Sequence, residues 1–503
     1  MDFRRLFSPA KVGRLEIKNR FVVPPMGTGL ANQDGTVTQE LIDYWVARAK
    51  GGWGLLITEF TAVDPLGKWI PCALGLWDDR HIAGLRKLTD AVHSYGNGAK
   101  IAIQISHAGR QTSSQVIGAQ PVSASPIPCA LVGEVPRELS KEEIDQVIER
   151  YGDAARRACE AGFDIVMLHG AHGYLVAEFM SQYFNKRMDE FGGSFENRMR
   201  FPLEIIKNIK GKTANSVPIA FRFSSEERVP GGRTIEESRM VARAVEEAGI
   251  ELLDVSVGVA ESDRYIIAPA AVPPGFLLPL AAEIKKVAKV PVIAVGRIDH
   301  PWIAERAIEE GKADFVAFGR ASLADPALPE KVATGRIDEI RHCISCLQGC
   351  TRVFGPPGPS GKATIACLVN PLCAREGQIR IEPASKKKRL VIVGGGPGGL
   401  EAAWRAASRG HEVILYERQP VFGGQLRVAA MPPFKQAFSG LINHGVQMAK
   451  RYGARLNLGV DATPELILSD NPDVVILASG GEPAMPDTIK GVDLAANAAQ
   501  IIV

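Results

Sequence analysis

No apolar run in the sequence reaches the roughly 18 residues that a membrane-spanning helix needs. The opening stretch MDFRRLFSPAKVG also lacks the apolar core of a secretory signal. A cytoplasmic location is therefore expected, with no membrane span. An excess of one charge is missing too, since 59 Lys and Arg stand against 56 Asp and Glu, for a net charge of +3. So mild a balance argues against nucleic acid or an anionic membrane as partner and points to small molecules. Cysteine is sparse, with eight in 503 residues. Cys72, Cys129, Cys159 and Cys373 are scattered, so no disulfide framework is implied and a reducing compartment keeps them as thiols.

The other four cysteines lie within His342 to Gln378, the stretch on which the chain turns. Cys343, Cys346 and Cys350 form a C-x2-C-x3-C run, and Cys367 follows a Gly/Pro loop that folds the chain back toward them. Three close cysteines plus a distant one favour an iron–sulfur cube. A tetrahedral zinc site is the rival, because four cysteines in two groups suit it as well, and unligated thiols are the third reading. Cys373 is a second-choice ligand.

At about 150 residues per domain the length predicts two to four domains. The alternation of Val12, Leu15 and Ile17 around Gly13 predicts a hairpin at a barrel floor. Eight short apolar runs follow, each leading into a helix-period segment: Phe21–Met26, Gly54–Thr58, Lys100–Ser106, Asp164–His169, Pro218–Phe223, Leu252–Val257, Pro291–Val295 and Asp314–Phe318. Continuous rather than alternating runs are the mark of parallel strands covered on both faces, so an α/β fold beginning with a (β/α)8 barrel is expected, with chemistry at the strand C-termini. The expected domains are 1–335 (barrel), 336–385 (cysteine segment and linker) and 386–503 (dinucleotide domain).

The expected strand ends are polar: Thr28, Glu59, Gln104 with His107, His169 with His172, Arg222, Ser256, Arg297, and Gly319 with Arg320. Gly296-Arg297 and Gly319-Arg320, after the seventh and eighth strands, match the phosphate site of such barrels. His169 and His172 can bind a metal, donate two hydrogen bonds to one substrate oxygen, or fill polar loop space. No third ligand stands nearby, which favours the substrate oxygen. Tyr174, two residues on, offers a hydroxyl proton.

Beyond the cysteines, the basic run 386–389 reads as a solvated linker. Gly394, Gly396 and Gly399 then make G-x-G-x-x-G between a strand and an Ala-rich helix, and Glu417 falls 18 positions after Gly399, near the place of a ribose-binding acid. Gly423-Gly424-Gln425 and the stretch Asp473–Gly481 point to FAD rather than NAD in this half.

Through NRFVVPPM (19–26), IQISHAGR (103–110), HGAHGYL and FGGSFENRMRF the barrel resembles Old Yellow Enzyme. With CISCLQGC, CLVNP and GGGPGGLEAA added, the chain resembles that family's long flavin/iron–sulfur branch: 2,4-dienoyl-CoA reductase, 2-enoate reductase, bile-acid ene-oxidoreductases and trimethylamine dehydrogenase. The resemblance implies FMN beside Pro25, Met26, Thr28, Gln104 and Arg222, with its phosphate on Gly296, Gly319 and Arg320. It implies a [4Fe–4S] cluster on Cys343, Cys346, Cys350 and Cys367, and FAD on Gly394, Gly396, Gly399, Glu417 and Gln425. NAD(P)H is the implied donor. The implied reaction is reduction, or in reverse formation, of an activated C=C bond, with His169 and His172 on the substrate carbonyl and Tyr174 supplying a proton.

Two departures narrow this. His172 stands where the dienoyl-CoA reductases have an acid, and Ser256–Glu261 lacks their sixth-strand histidine; both differences favour an enoate, enone or steroid-like substrate. No cysteine follows the first strand, which disfavours the covalent FMN of an amine or N-methyl dehydrogenase, the alternative reading; a non-catalytic subunit with a degraded flavin half is the third. The sequence ends about where the family inserts its NAD(P)-binding domain, so the Rossmann-like part is expected to be incomplete. A fragment is the favoured explanation, and a separate reductase or electron carrier is the other. A homo-oligomer is expected.

Overall fold

The computed structural model describes residues 2–356, 358 and 361–481; residues 482–503 of the expected dinucleotide domain lie outside these. The chain divides into two compact units, Met1–Thr334 with Cys346–Gly377, and Gly335–Ser345 with Gln378–Val503.

In the first unit eight parallel strands close into a ring: β1 (Phe21–Val23), β2 (Leu55–Ala62), β3 (Lys100–Ser106), β4 (Ile165–Gly170), β5 (Ile219–Ser224), β6 (Leu252–Ser256), β7 (Val292–Ala294) and β8 (Phe315–Ala317). Closure is made by β8 pairing with β1 and β1 with β2, at Val316↔Phe21 and Val22↔Leu55. Each apolar run expected from the sequence carries one of these strands. β1 is shorter than its run because Pro24 and Pro25 have no N–H to give the ladder. β2 is longer and passes through a register shift between Ile57 and Phe60, a bulge that carries pairing on to Ala62.

Helices on the outside bury one apolar stripe each against this ring. Helix α1 (Gln39–Lys50) starts at Thr38, whose hydroxyl accepts from Leu41 N (3.2 Å). Helix α2 (Lys141–Glu160) starts on a reciprocal capping box between Ser140 and Glu143. The hairpin Ala10–Val12/Leu15–Ile17 forms as expected, and its buried Val12 and Ile17 join the cluster of Val22, Leu55, Ala220 and Phe315.

The cysteine-bearing segment Cys346–Gly377 belongs to this unit and is fastened to it at several points. Ile365 N donates to Thr28 O (2.8 Å), and Asn370 Nδ2 to Leu323 O (2.8 Å). The Arg48 side chain, 0% exposed, lies 3.0 Å from Glu376. It also donates to Tyr44 O at 2.6 Å and Ser322 O at 3.2 Å, and its guanidinium sits 3.4 Å over the Tyr44 ring. A buried charge held by an ion pair and two carbonyls costs a great deal when the pairing carboxylate's cation is removed.

The second unit carries a parallel sheet of β9 (Arg389–Val393), β10 (Glu412–Glu417), β11 (Arg455–Leu458) and β12 (Val474–Leu477), in the order β11-β10-β9-β12. Helices α3 (Pro397–Ser408) and α4 (Ala437–Arg451) pack one face through Leu400, Ala403, Trp404 and Met448. This is the first half of a Rossmann-like fold, with β9 beside the point where strand order reverses.

Replacing Arg48 by Met leaves the Glu376 carboxylate buried without its cation. We expect a loss of roughly 3–5 kcal/mol in denaturant unfolding followed by tryptophan fluorescence, and a smaller loss in Arg48→Met/Glu376→Gln.

Candidate active site

Parallel register places three side chains side by side at the barrel mouth. Arg222 of β5 pairs with His169 of β4 on one side and Asp254 of β6 on the other. Arg222 Nε lies 3.5 Å from Asp254 Oδ2. Burial raises the Asp254 carboxyl above its ordinary range, and the arginine opposes that rise. His172 follows in the loop, its ring centroid 5.2 Å from that of His169 at 82°. Tyr174 stands 5.1 Å from His169 and 5.0 Å from Phe60, so the two histidines and the tyrosine form one cluster.

His172 holds a left-handed backbone, φ 63°, which costs a β-carbon residue about 1–2 kcal/mol. The conformation is held from several sides. His172 N donates to Ser224 Oγ (2.9 Å), its carbonyl accepts from Gln111 Nε2 (2.8 Å), and its Nε2 shares a hydrogen bond with Ser256 Oγ (2.7 Å). Strain so firmly held in place is a mark of functional positions. Ala171 N donates to His169 Nδ1 (3.4 Å), which leaves Nε2 to carry the proton. Burial first, and the Arg222 charge second, push both imidazoles well below the ordinary histidine range. At neutral pH both are uncharged, and His169 donates from Nε2. Burial, with Cys129 nearby, pushes the Tyr174 hydroxyl up, so it keeps its proton.

The residues expected around FMN share the strand ends of this mouth. Pro25 and Met26 are half-buried after β1, and a Cβ on Gly319 would lie 3.3 Å from Met26 Sδ and 3.4 Å from Pro24. The buried Gln104 amide donates to the Met167 sulfur, at 3.4 Å, among the described residues. Arg222 Nε and Arg320 Nη1 are buried without a hydrogen-bond partner among the described residues. Donors left over in this way suit a polar, anionic cofactor, and these residues fit FMN. Thr28 is different: its hydroxyl donates to Glu59, whose carboxyl burial pushes up to about 7. Arg297 is also engaged, donating to Ala270 O (2.7 Å) and to Val272 O.

Beyond His172 and Tyr174 opens a chamber of about 1020 Å³. None of the residues expected to hold FMN lines it. Its walls are mainly apolar and include Trp69, Val116, Leu131, Val132, Ile266 and Phe354. Phe354 lies between Cys350 and Cys367 and packs edge-on against Trp69 at 5.3 Å, so the cysteine segment forms part of the chamber wall. Neither aromatic was legible as a site residue, since a lone Trp or Phe in a loop carries no spacing.

Cys346, Cys350 and Cys367 fall in the first unit, and Cys343 in the second. All four are half-buried and none is in a disulfide. Ala366 N donates to Gly349 O (3.1 Å), and a Cβ on Gly349 would come within 3.0 Å of Cys367 Cα. The Gly/Pro loop thus brings Cys367 back to the turn bearing Cys350, as the spacing predicts. That chemistry, unbridged thiols on converging turns, fits a thiolate-held cluster. No group of three or more metal-ligating side chains is gathered among the described residues. Cys373 is buried, and burial pushes its thiol up.

In the second unit the three fingerprint glycines stand between β9 and α3. A Cβ on Gly399 would lie 1.9 Å from Gly394 O, so the strand and helix meet there without room for a side chain. Gly396 caps α3 with nothing within 4 Å of its absent Cβ, which leaves the backbone open to a phosphate. Glu417 ends β10 and accepts from Gly395 N (2.7 Å) and Gln419 N (2.8 Å). Gln425 Nε2 donates to Gly481 O. A cleft of about 330 Å³ runs past Gly394, Glu417 and Ser479–Gly481.

A (β/α)8 barrel with this mouth, joined to a Rossmann-like half, defines a flavin-dependent oxidoreductase. Residues 5–339 match the NADH:flavin oxidoreductase / NADH oxidase family, and 390–457 match the FAD dependent oxidoreductases. The chain belongs to the NADH:flavin oxidoreductase / NADH oxidase family, in the long flavin branch that its motifs resemble. It is 50% identical over 496 residues to the NADH oxidase of Thermoanaerobacter brockii, covering 98% of this chain and 75% of that one. To the cinnamate reductase of Clostridium sporogenes it is 36% identical over 525 residues, covering 100% and 77%. The structure of a 2-naphthoyl-CoA reductase complex superposes with a TM-score of 0.95 at 33% identity, covering 100% of this chain and 78% of the other. The protein is thus an oxidoreductase with FMN-type and FAD-type domains, and ene-reductases are among its relatives. No described helix is long and apolar enough to cross a membrane.

Gly399→Val drives a side chain into the Gly394 carbonyl. Flavin analysis after gel filtration should show FAD lost and FMN retained.

Proposed function

We propose that the protein reduces the activated C=C bond of an enoate, enone or steroid-like carbonyl compound, with electrons from NAD(P)H entering through the FAD-type half. The observation that carries this reading is the pair of neutral imidazoles, His169 and His172, set beside protonated Tyr174 where the barrel mouth meets a largely apolar chamber. Pro25, Met26, Gln104, Arg222, Gly296, Gly319 and Arg320, with Thr28 behind them, would hold FMN, which would supply hydride; Cys343, Cys346, Cys350 and Cys367 would hold a [4Fe–4S] cluster, which would relay single electrons.

His169 and His172 hold the substrate carbonyl oxygen by N–H donation. Because they are uncharged, they bind the neutral ketone or ester modestly and gain most as charge develops on that oxygen, which lowers the barrier. Tyr174 keeps its proton at neutral pH and delivers it to the α-carbon, while Phe60 and Trp69 keep water from that side. Arg222, balanced by Asp254, holds positive charge at the mouth.

The test is anaerobic. Purified protein reduced with dithionite is mixed separately with cinnamate, 2-cyclohexenone and a 3-oxo-Δ4-steroid while flavin reoxidation is followed. Fast reoxidation by at least one, slowed about 10²–10³-fold in His169→Ala and His172→Ala, is expected. Bleaching of the oxidised flavin by a methylated amine, with no response to the unsaturated compounds, refutes the proposal.

The pH dependence follows from the direction of the histidine shifts. Both pKa values lie below the ordinary 6.5, so the imidazoles stay neutral across the usual histidine range. The reoxidation rate should be flat between about pH 6 and 8, falling only in more acid solution as the imidazoles protonate. A titration centred near 6.5 would count against neutral donors.

A further inference from the structure

Arg110 follows β3 and Glu261 follows β6, and the chemistry above uses neither. The Arg110 side chain is 0% exposed, and both of its terminal nitrogens are engaged. Nη1 and Nη2 donate to the two Glu261 oxygens at 2.8 Å each. Nη1 also donates to Pro128 O (2.8 Å), and the Phe184 ring lies 3.8 Å from the guanidinium. Glu261 accepts from Ala130 N as well, at 3.3 Å. One ion pair therefore ties the loop after β3, residues 107–139, to the loop after β6, residues 257–277.

Both loops wall the chamber, the first with Cys129, Leu131 and Val132, the second with Ile266 and Ile267. Leu131 is 65% and Val132 37% exposed. Side chains so weakly packed do not hold their own loop in place. The tie beneath them has the opposite character: it is two-pronged, with its arginine fully buried, the geometry in which an arginine and a carboxylate best fix an orientation.

We propose that Arg110 and Glu261 are positioning residues that hold these two loops together and so set the size selectivity of the chamber. Small substrates reach the histidine pair without touching Leu131, Val132 or Ile266, so they are indifferent to the clamp. Substrates with a bulky aryl group bury it against those side chains and need the loops in place. The inference rests on the chamber being the substrate site.

The experiment uses the holoenzyme and Glu261→Gln, which keeps the shape and removes the charge, together with Glu261→Asp, which keeps the charge. With cinnamate as the bulky probe, Glu261→Gln should raise KM about tenfold with kcat within about twofold, while KM for 2-cyclohexenone stays within about twofold. Glu261→Asp should recover most of the cinnamate KM. Hydrogen exchange of amides 126–135 and 258–268 should quicken at least about tenfold in Glu261→Gln, with the barrel helices unchanged. Unchanged exchange and unchanged KM overturn the clamp. Equal losses for both probes, accompanied by FMN release, also overturn it and assign the pair to general stability. If neither probe reoxidises the wild-type flavin, the C=C reading fails by itself, and loop exchange still decides the clamp.

Discussion

Closing eight parallel strands into a ring leaves no sheet edge unpaired and delivers every strand's C-terminal end to one mouth. Much else in the first unit follows from that constraint. Because the strands are in parallel register, His169, Arg222 and Asp254 meet at one level although they come from three separate stretches of chain. Because the ring's interior is filled with buried side chains, no polar group can retreat inward. Polar residues collect at the rim, where loops and a bound cofactor can satisfy them. The hairpin around Gly13 closes the other end, so the mouth is where the chemistry must lie.

Burial at that rim sets the character of the site. Imidazoles that would be half-protonated near pH 6.5 in water are held neutral there. The same burial keeps a proton on Tyr174 and raises the carboxyls of Glu59 and Asp254. Charges that persist in the interior come with partners: Arg48 with Glu376, Arg110 with Glu261. Each of these pairs is also a fastening. The first holds the cysteine segment to the barrel, and the second joins two loops that wall the chamber. Ion pairs with a buried arginine add little net stability but specify geometry strongly, and geometry is what a site of this kind needs.

The cysteine segment shows how closely structure and site are combined. Ile365, two residues before Cys367, takes its main-chain partner from Thr28, in the loop that follows the first barrel strand. Phe354, four residues after Cys350, faces the chamber against Trp69. A single stretch therefore carries thiols, touches the loop beside the expected FMN, and forms part of the chamber wall.

The fold was legible because its signals are local. A strand buried on both faces needs a continuous apolar run, and all eight runs are strands; a helix that meets a strand tightly needs glycine, and Gly394, Gly396 and Gly399 stand where the fingerprint puts them. Spacing alone set out the cysteine run and the return of Cys367. Local pattern was enough for the architecture and the two cofactor-type domains, whereas Glu59 and Gln104, expected at strand ends, lie inside their strands. Tertiary structure alone decided that Thr28 turns its hydroxyl to Glu59, that His172 sits in a strained left-handed turn held by Ser224 and Ser256, and that Arg110 finds Glu261. Those choices depend on partners dozens to hundreds of positions away. An arginine or a threonine in a loop carries no local mark of the partner that the closed ring brings to it.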